Sequence, residues 1–333
     1  MTANPVLAEL IRNNWVENRH RGAFCVLDAS GEVIVSTGDI ERAIFPRSAI
    51  KSLQALALFK SGAVEKFGLD DKSIALASAS HLGEPAHIEG VRVTLQKIGC
   101  SEADFECGIH PPSCRTARNN LRNSGIEPSA IHNNCSGKHS GMLAVARALD
   151  VPVKGYSELD HPVQKLVRAC IEELIGQDLT PDRCGTDGCS IPTWAAPMKA
   201  FAYGFARAAS GEGLDPETAR GARAIINAAM ANPFLVGGTD AFDSDAMDVF
   251  AGKLMSKGGA EGVYCGSLPE LGLGYALKCD DGNMLAAETM VSNLLIGVAQ
   301  PDEKQREFLQ ERQQKTLKNW RKIKVATMRA LTP

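Results

Sequence analysis

"GAFCVLDASGEVIVSTG" (residues 22–38) is two β-rich runs joined by Asp28-Ala29-Ser30-Gly31. Asp and Gly in a short gap between alternating apolar residues specify a hairpin turn. A second β-rich stretch waits almost at the other end, "GVYCGSLPELGLGYALKCDDGNMLAAETM" (262–290), with its own Asp281-Gly282 turn. Its apolar continuation predicts a helix around 290–299. Between the two stretches, roughly 63–250, the apolar spacing is helical. "GVRVTLQKIG", "GMLAVARALD", "HPVQKLVRACIEELIG" and "AFAYGFARAAS" each carry a helix-period face. Strands, a long helical insert and strands again predict one sheet built from both chain ends. The expected lobes are 1–62 with 251–333 for the sheet and 63–250 for the inserted helices, an α/β (α+β) class with a cleft between the lobes. The charged tail "PDEKQREFLQERQQKTLKNWRK" (301–322) reads as a solvated amphipathic helix.

Bulk properties narrow the function classes. The 333 residues are 44% hydrophobic and 23% charged with a formal charge of −3, so neither nucleic acid nor an anionic membrane is expected as a partner. No basic segment followed by an apolar core opens the chain, and no apolar run approaches membrane-spanning length. Ten scattered cysteines without a CxxC pair then suggest reduced thiols and a cytoplasmic protein.

"IFPRSAIKSLQAL" (44–56) begins a helix expected to enter near Arg47–Ser48 and to leave at Gly62. It places Ser48 three residues before Lys51. On a helix those side chains share a face, and a lysine whose pKa is lowered can take a serine's proton. The plainer reading is a capping serine and a solvated lysine, and about one S-x-x-K arises by chance in a chain of this length. Further pieces add weight. Lys257-Gly258-Gly259 stands before a β-rich run, where a serine β-lactamase carries K-T-G, although Gly258 replaces the hydroxyl residue. "SASHLGE" supplies a second serine, Ser80. Two other stretches are dense in chemistry: "IHNNCSGKHSGML" (131–143) and "CGTDGCSIPTW" (184–194). Each is also readable as a turn with small buried cysteines, and neither has a zinc-finger spacing.

"RSAIKSLQAL", "SASHLGEPAH", "HNNCSGKHSGML", "TDGCSIPT" and "KGGAEGVYC" occur in this order, and together they resemble the rhizobial-type (class 3) L-asparaginases over about residues 20–300. The resemblance implies a serine β-lactamase-like fold, a homodimer, and hydrolysis of L-asparagine to L-aspartate and ammonia with little glutaminase activity. It implies Ser48 as nucleophile, Lys51 as its base, and Ser80 with Lys257 as a second Ser–Lys couple. It implies one zinc ion held by Cys135, Lys138 and Cys189, and roles for Arg47, His139 and Asp187 around the substrate or the metal water. Members of that family often carry an arginine or cysteine where this chain has Ala241 to Ser244, which bears on substrate range. A glutaminase, a β-lactamase-like amidase and a non-catalytic zinc- or amino-acid-binding protein are the competing readings.

Overall fold

The computed structural model describes residues 3–332. Its centre is an eight-stranded antiparallel sheet made from the two chain ends. The N-terminal strands are β1 (Val6–Arg12), β2 (Trp15–Asp28) and β3 (Val33–Thr37). The C-terminal ones are β4 (Met255–Gly259), β5 (Val263–Leu268), β6 (Leu273–Cys279), β7 (Gln314–Lys318) and β8 (Lys324–Ala330). The order is β7-β8-β1-β2-β6-β5-β4, with β3 also paired to β2. Strand β2 is the seam, since its N-terminal half pairs with β1 and its C-terminal half with β6, Gly22 opposite Cys279 and Asp28 opposite Leu273.

The sheet is buried on both faces, and strand alternation sorts its side chains into two cores. Ala23, Cys25, Leu27, Val263, Cys265 and Ala276 join the core shared with the helical insert. Phe24, Val26, Tyr264, Tyr275, Leu277 and Cys279 join the other, under the C-terminal helices. The apolar helix expected around 290–299 runs over Met284–Val298. Asn283 caps it, its side chain accepting the Ala286 N–H.

Two expectations need correction. The charged tail is helical only over Glu303–Gln313, and residues 314–330 form the hairpin β7–β8. The reason is an available edge: β8 pairs with β1, Ala8 opposite Ala330, and turns Ala326 and Met328 inward. The segment after Pro46 is not one helix but a 3-10 turn Arg47–Ile50, a helical turn Lys51–Gln54 and another at Leu56–Lys60. It ends, as expected, at Gly62, which adopts a left-handed φ of 71°.

Strand β4 lies against the Arg47–Ile50 turn. A Cβ on Gly259 would come within 2.6 Å of the Pro46 carbonyl oxygen and 2.9 Å of the Ala49 nitrogen. Only glycine permits this approach of backbone to backbone. Gly259→Ala is therefore expected to lower the unfolding free energy by about 1–3 kcal/mol and to displace Ser48, so that urea midpoint and activity fall together. Unchanged stability would contradict this packing.

Candidate active site

Arg47 holds a left-handed φ of 54°, a conformation that costs a non-glycine residue on the order of 1 kcal/mol or more. It is anchored by an ion pair in which its Nε donates to Asp187 Oδ1 at 2.7 Å. Asp187 sits in the turn after Cys184–Thr186, where its own backbone N–H reaches the Ile191 carbonyl at 2.8 Å. Burial opposes ionisation of Asp187, but the Lys138 and Arg47 charges outweigh it and hold the carboxyl below its ordinary value. Two predicted site residues from distant segments are thus brought together beside half-buried Ser48.

One turn on, Lys51 is 1% exposed. Its Nζ donates to the Ala79 carbonyl at 2.5 Å, to Ser80 Oγ at 2.9 Å and to Cys135 Sγ at 3.1 Å. Among the described residues no carboxylate pairs with it. Burial drives the Lys51 pKa below its ordinary value; the Cys135 sulfur opposes this, while the charges of Lys138 and Lys257 add to it. No hydrogen bond links Ser48 Oγ to Lys51 among the described residues, so the amine's resting partner is Ser80. Ser80 is fixed through its N–H, which donates to Val236 O at 2.9 Å.

Cys135 precedes the helix Ser136–Ala148, and its N–H donates to Asn133 Oδ1 at 2.8 Å. Gly137 lets this helix cross the helix Asp71–Ala77, because a Cβ there would lie 2.3 Å from Leu76 O. The close crossing carries Cys135 and Lys138 up to the Ala79–Ser80 segment. Lys138 Nζ donates to Cys189 Sγ at 2.8 Å, and both residues are buried. The hydrogen bond from Cys189, followed by the charges of Lys51 and Lys138, holds the Cys135 thiol well below its ordinary pKa. The same hydrogen bond, with burial, pushes Cys189 up. Two sulfurs and an amine nitrogen in one buried cluster form a donor set that suits zinc, provided the amine gives up its proton. His139 is fully buried; its Nδ1 meets the Tyr156 hydroxyl at 2.6 Å and its Nε2 has no partner among the described residues.

Lys257 is placed differently from the expected couple with Ser80. Its Nζ donates to Asp243 Oδ2 at 2.6 Å and to Gly258 O at 2.9 Å, while the Gly258 N–H donates to Asp243 Oδ1 at 2.8 Å. Asp243 was not foreseen from the sequence. It lies in the first turn of the helix Phe242–Phe250, inside the segment singled out for its departure from the family pattern. The signal was its position: Asp243 shares the buried helix face with Met247 and Phe250, where an acid requires a partner.

Arg47 also borders a cavity of about 280 Å³ lined by Phe45, Gly185, Thr186, Thr193, Glu261 and Lys278, a size suited to one small amino acid. A larger cavity, about 550 Å³ between Asp70–Ser73, Ala86–Val93 and Ala231–Leu235, contains none of the predicted residues.

The sequence pattern of the L-asparaginase II family matches residues 8–330. The chain belongs to the L-asparaginase II family. No curated protein matches it. Among solved structures, Mglu in its native form is 15% identical with a TM-score of 0.43, covering 84% of this chain and 64% of that one. Mglu in 4.3 M NaCl is 14% identical with a TM-score of 0.44, covering 85% and 63%. Its L-glutamate binding form in 4.3 M NaCl is 16% identical at 0.35, covering 82% and 59%. The chain thus spans less than two thirds of those chains. In this L-asparaginase II chain a second group, His20, Cys279 and Asp281 on the sheet, could also hold a metal.

Behind Ser80 lies a pair of stacked histidines, His81 and His87, with ring centroids 5.0 Å apart. His81 Nδ1 accepts the Gly83 N–H at 3.2 Å and its Nε2 meets Ser136 Oγ at 3.0 Å. His87 Nδ1 accepts the Glu84 N–H at 3.1 Å and its Nε2–H donates to Phe234 O at 2.9 Å. Both rings are neutral donor–acceptors, and protonation would break a backbone bond in each. Burial lowers both pKa values from the ordinary 6.5, His81 the further. Below pH 6.5 the unfolded chain therefore takes up protons that the folded chain refuses, and stability falls as pH falls. From pH 6.5 to 5.5 stability is therefore expected to fall, His81 contributing the larger share. Urea unfolding at pH 7.5, 6.5 and 5.5 measures it; a flat profile would contradict the neutral pair.

Proposed function

We propose that the chain hydrolyses the side-chain amide of L-asparagine by acyl transfer through Ser48, on a serine β-lactamase-like scaffold whose sheet-bearing and helical lobes flank the site. The observation that carries this reading is Lys51. It is buried, has no carboxylate partner among the described residues, feels the charges of two further lysines, and stands one helical turn after a serine on a strained turn. Such a lysine serves as a base at neutral pH, whereas the Lys257 charge is countered by Asp243.

In this mechanism Ser48 Oγ attacks the side-chain carbonyl carbon while its proton passes to Lys51. A neutral Lys51 keeps two N–H donors for Ala79 O and Ser80 Oγ and has a lone pair for the Ser48 proton. Backbone N–H groups of the Arg47–Ile50 turn are the candidate donors for the tetrahedral oxyanion. The proton on Lys51 moves by way of Ser80 to the departing nitrogen. The C–N bond breaks, ammonia leaves, and an aspartyl ester remains on Ser48. Water, deprotonated by Lys51, then cleaves the ester, releases L-aspartate and returns the proton to Ser48. Arg47 faces the α-carboxylate of the substrate and Asp187 its α-amine. Zinc held by Cys135, Lys138 and Cys189 would supply positive charge that organises the pocket; Ser–Lys chemistry needs no Lewis acid.

One observation favours a second reading. Lys51 Nζ rests 2.9 Å from Ser80 Oγ, so a neutral Lys51 that accepted the Ser80 proton instead of donating to that oxygen would make Ser80 the nucleophile, with Ser48 as the assisting hydroxyl. Ammonia release from L-asparagine and L-glutamine by the purified protein tests the reaction itself. Turnover of L-asparagine with much weaker release from L-glutamine is expected, and no release from L-asparagine would overturn the proposal.

A further inference from the structure

The β2–β6 ladder ends with Gly22 opposite Cys279. Two further antiparallel steps set Asp281 beside His20, and the Asp280 N–H, donating to Arg21 O at 2.8 Å, marks the first of them. Because strand side chains alternate, His20, Cys279 and Asp281 share one face. His20 Nδ1 meets Asp281 Oδ2 at 2.6 Å, and Cys279 Sγ donates to Asp281 Oδ1 at 3.0 Å. One imidazole nitrogen, one sulfur and one carboxylate oxygen lie within 4.8 Å of one another. Donors bound to a single zinc ion lie about 3–4 Å apart, so small side-chain adjustments suffice.

The surroundings favour a cation here. His20 is 4% exposed and Cys279 fully buried, whereas the Asp281 side chain is 47% exposed and forms an open mouth. Asp280 is taken up by Arg42 and Asn4, but among the described residues no lysine or arginine pairs with Asp281. Lys278, next along the strand, donates to the carbonyl oxygens of Glu261 and Cys279.

We propose that His20, Cys279 and Asp281 bind one zinc ion, separate from the Cys135–Lys138–Cys189 cluster, and that the ion ties the middle of β2 to the end of β6. Nitrogen, sulfur and oxygen donors from three side chains suit zinc, with the exposed side left to water. Binding replaces the thiol proton of Cys279, so uptake releases a proton.

The test uses the full chain carrying Cys135→Ser and Cys189→Ser, dialysed against zinc alone and, separately, cobalt(II) alone. One ion per chain is expected, with a thiolate-to-cobalt absorption band that Cys279→Ser removes. His20→Ala and Asp281→Asn should each weaken zinc binding on the order of 100-fold. Asp281 is half-exposed, so Asp281→Asn keeps the test valid if the variants at the buried positions do not fold. Zinc should also raise the thermal midpoint of the double-serine chain but not of that chain carrying Asp281→Asn. No uptake by the double-serine chain, or uptake that Asp281→Asn leaves unchanged, overturns the proposal.

Discussion

Ser48→Ala is expected to leave the fold unchanged and to lower kcat for L-asparagine by on the order of 10⁴–10⁶. The hydroxyl is half-buried on a turn whose backbone hydrogen bonds do not involve it, so alanine removes the nucleophile and little else. Lys51→Met should lose on the order of 10³–10⁴. Methionine roughly matches the lysine stem in that buried slot, leaving Ala79 O and Ser80 Oγ without the amine. Ser80→Ala, which removes only the relay, should lose on the order of 10²-fold. Ammonia release with circular dichroism as the control for folding measures all three. A Ser80→Ala loss matching that of Lys51→Met, beside an active Ser48→Ala, would transfer the nucleophile to Ser80.

The second large effect concerns stability. Asp243→Ala is expected to cost about 3–5 kcal/mol. The Lys257 amine, 2% exposed, loses the carboxylate it holds at 2.6 Å, and the Gly258 N–H loses its acceptor. A buried charge without a partner is the costly state, not the pair itself. Replacing both partners, as Asp243→Leu with Lys257→Met, should therefore recover much of the loss. Urea unfolding of the two single variants and the double variant gives the coupling. Asp243→Ala within 1 kcal/mol of the natural chain would mean that Lys257 is not held by Asp243.

Some of this architecture is written locally and some is not. The β2–β3 hairpin was legible because Asp28 closes its own turn, accepting from the Ser30 and Glu32 N–H groups. The helical insert was legible from its 3.6-residue period. The hairpin of residues 314–330 was hidden, because its exposed lysines and arginines mask a strand that is stabilised only by pairing with β1, over 300 residues away. At the candidate site, Ser48 and Lys51 were singled out by their spacing and Cys135, Lys138, Asp187 and Cys189 by the family resemblance, and the fold brings them into one region. What the sequence could not supply was the pairing: that Ser80 rests on Lys51, and that Lys257 belongs to Asp243. Those partners are set by helices crossing at distances that no local pattern records, as the approach of Gly137 to Leu76 illustrates.

Locating the acyl group tests the central claim most directly. The natural chain is mixed with L-asparagine, quenched in acid within milliseconds, and digested for mass spectrometry. A parallel reaction containing hydroxylamine is assayed for aspartyl hydroxamate. The account predicts hydroxamate formation and an aspartyl ester on the peptide carrying Ser48. An ester on the Ser80 peptide would contradict the assignment of the nucleophile. Ammonia release with neither ester nor hydroxamate would contradict acyl transfer altogether.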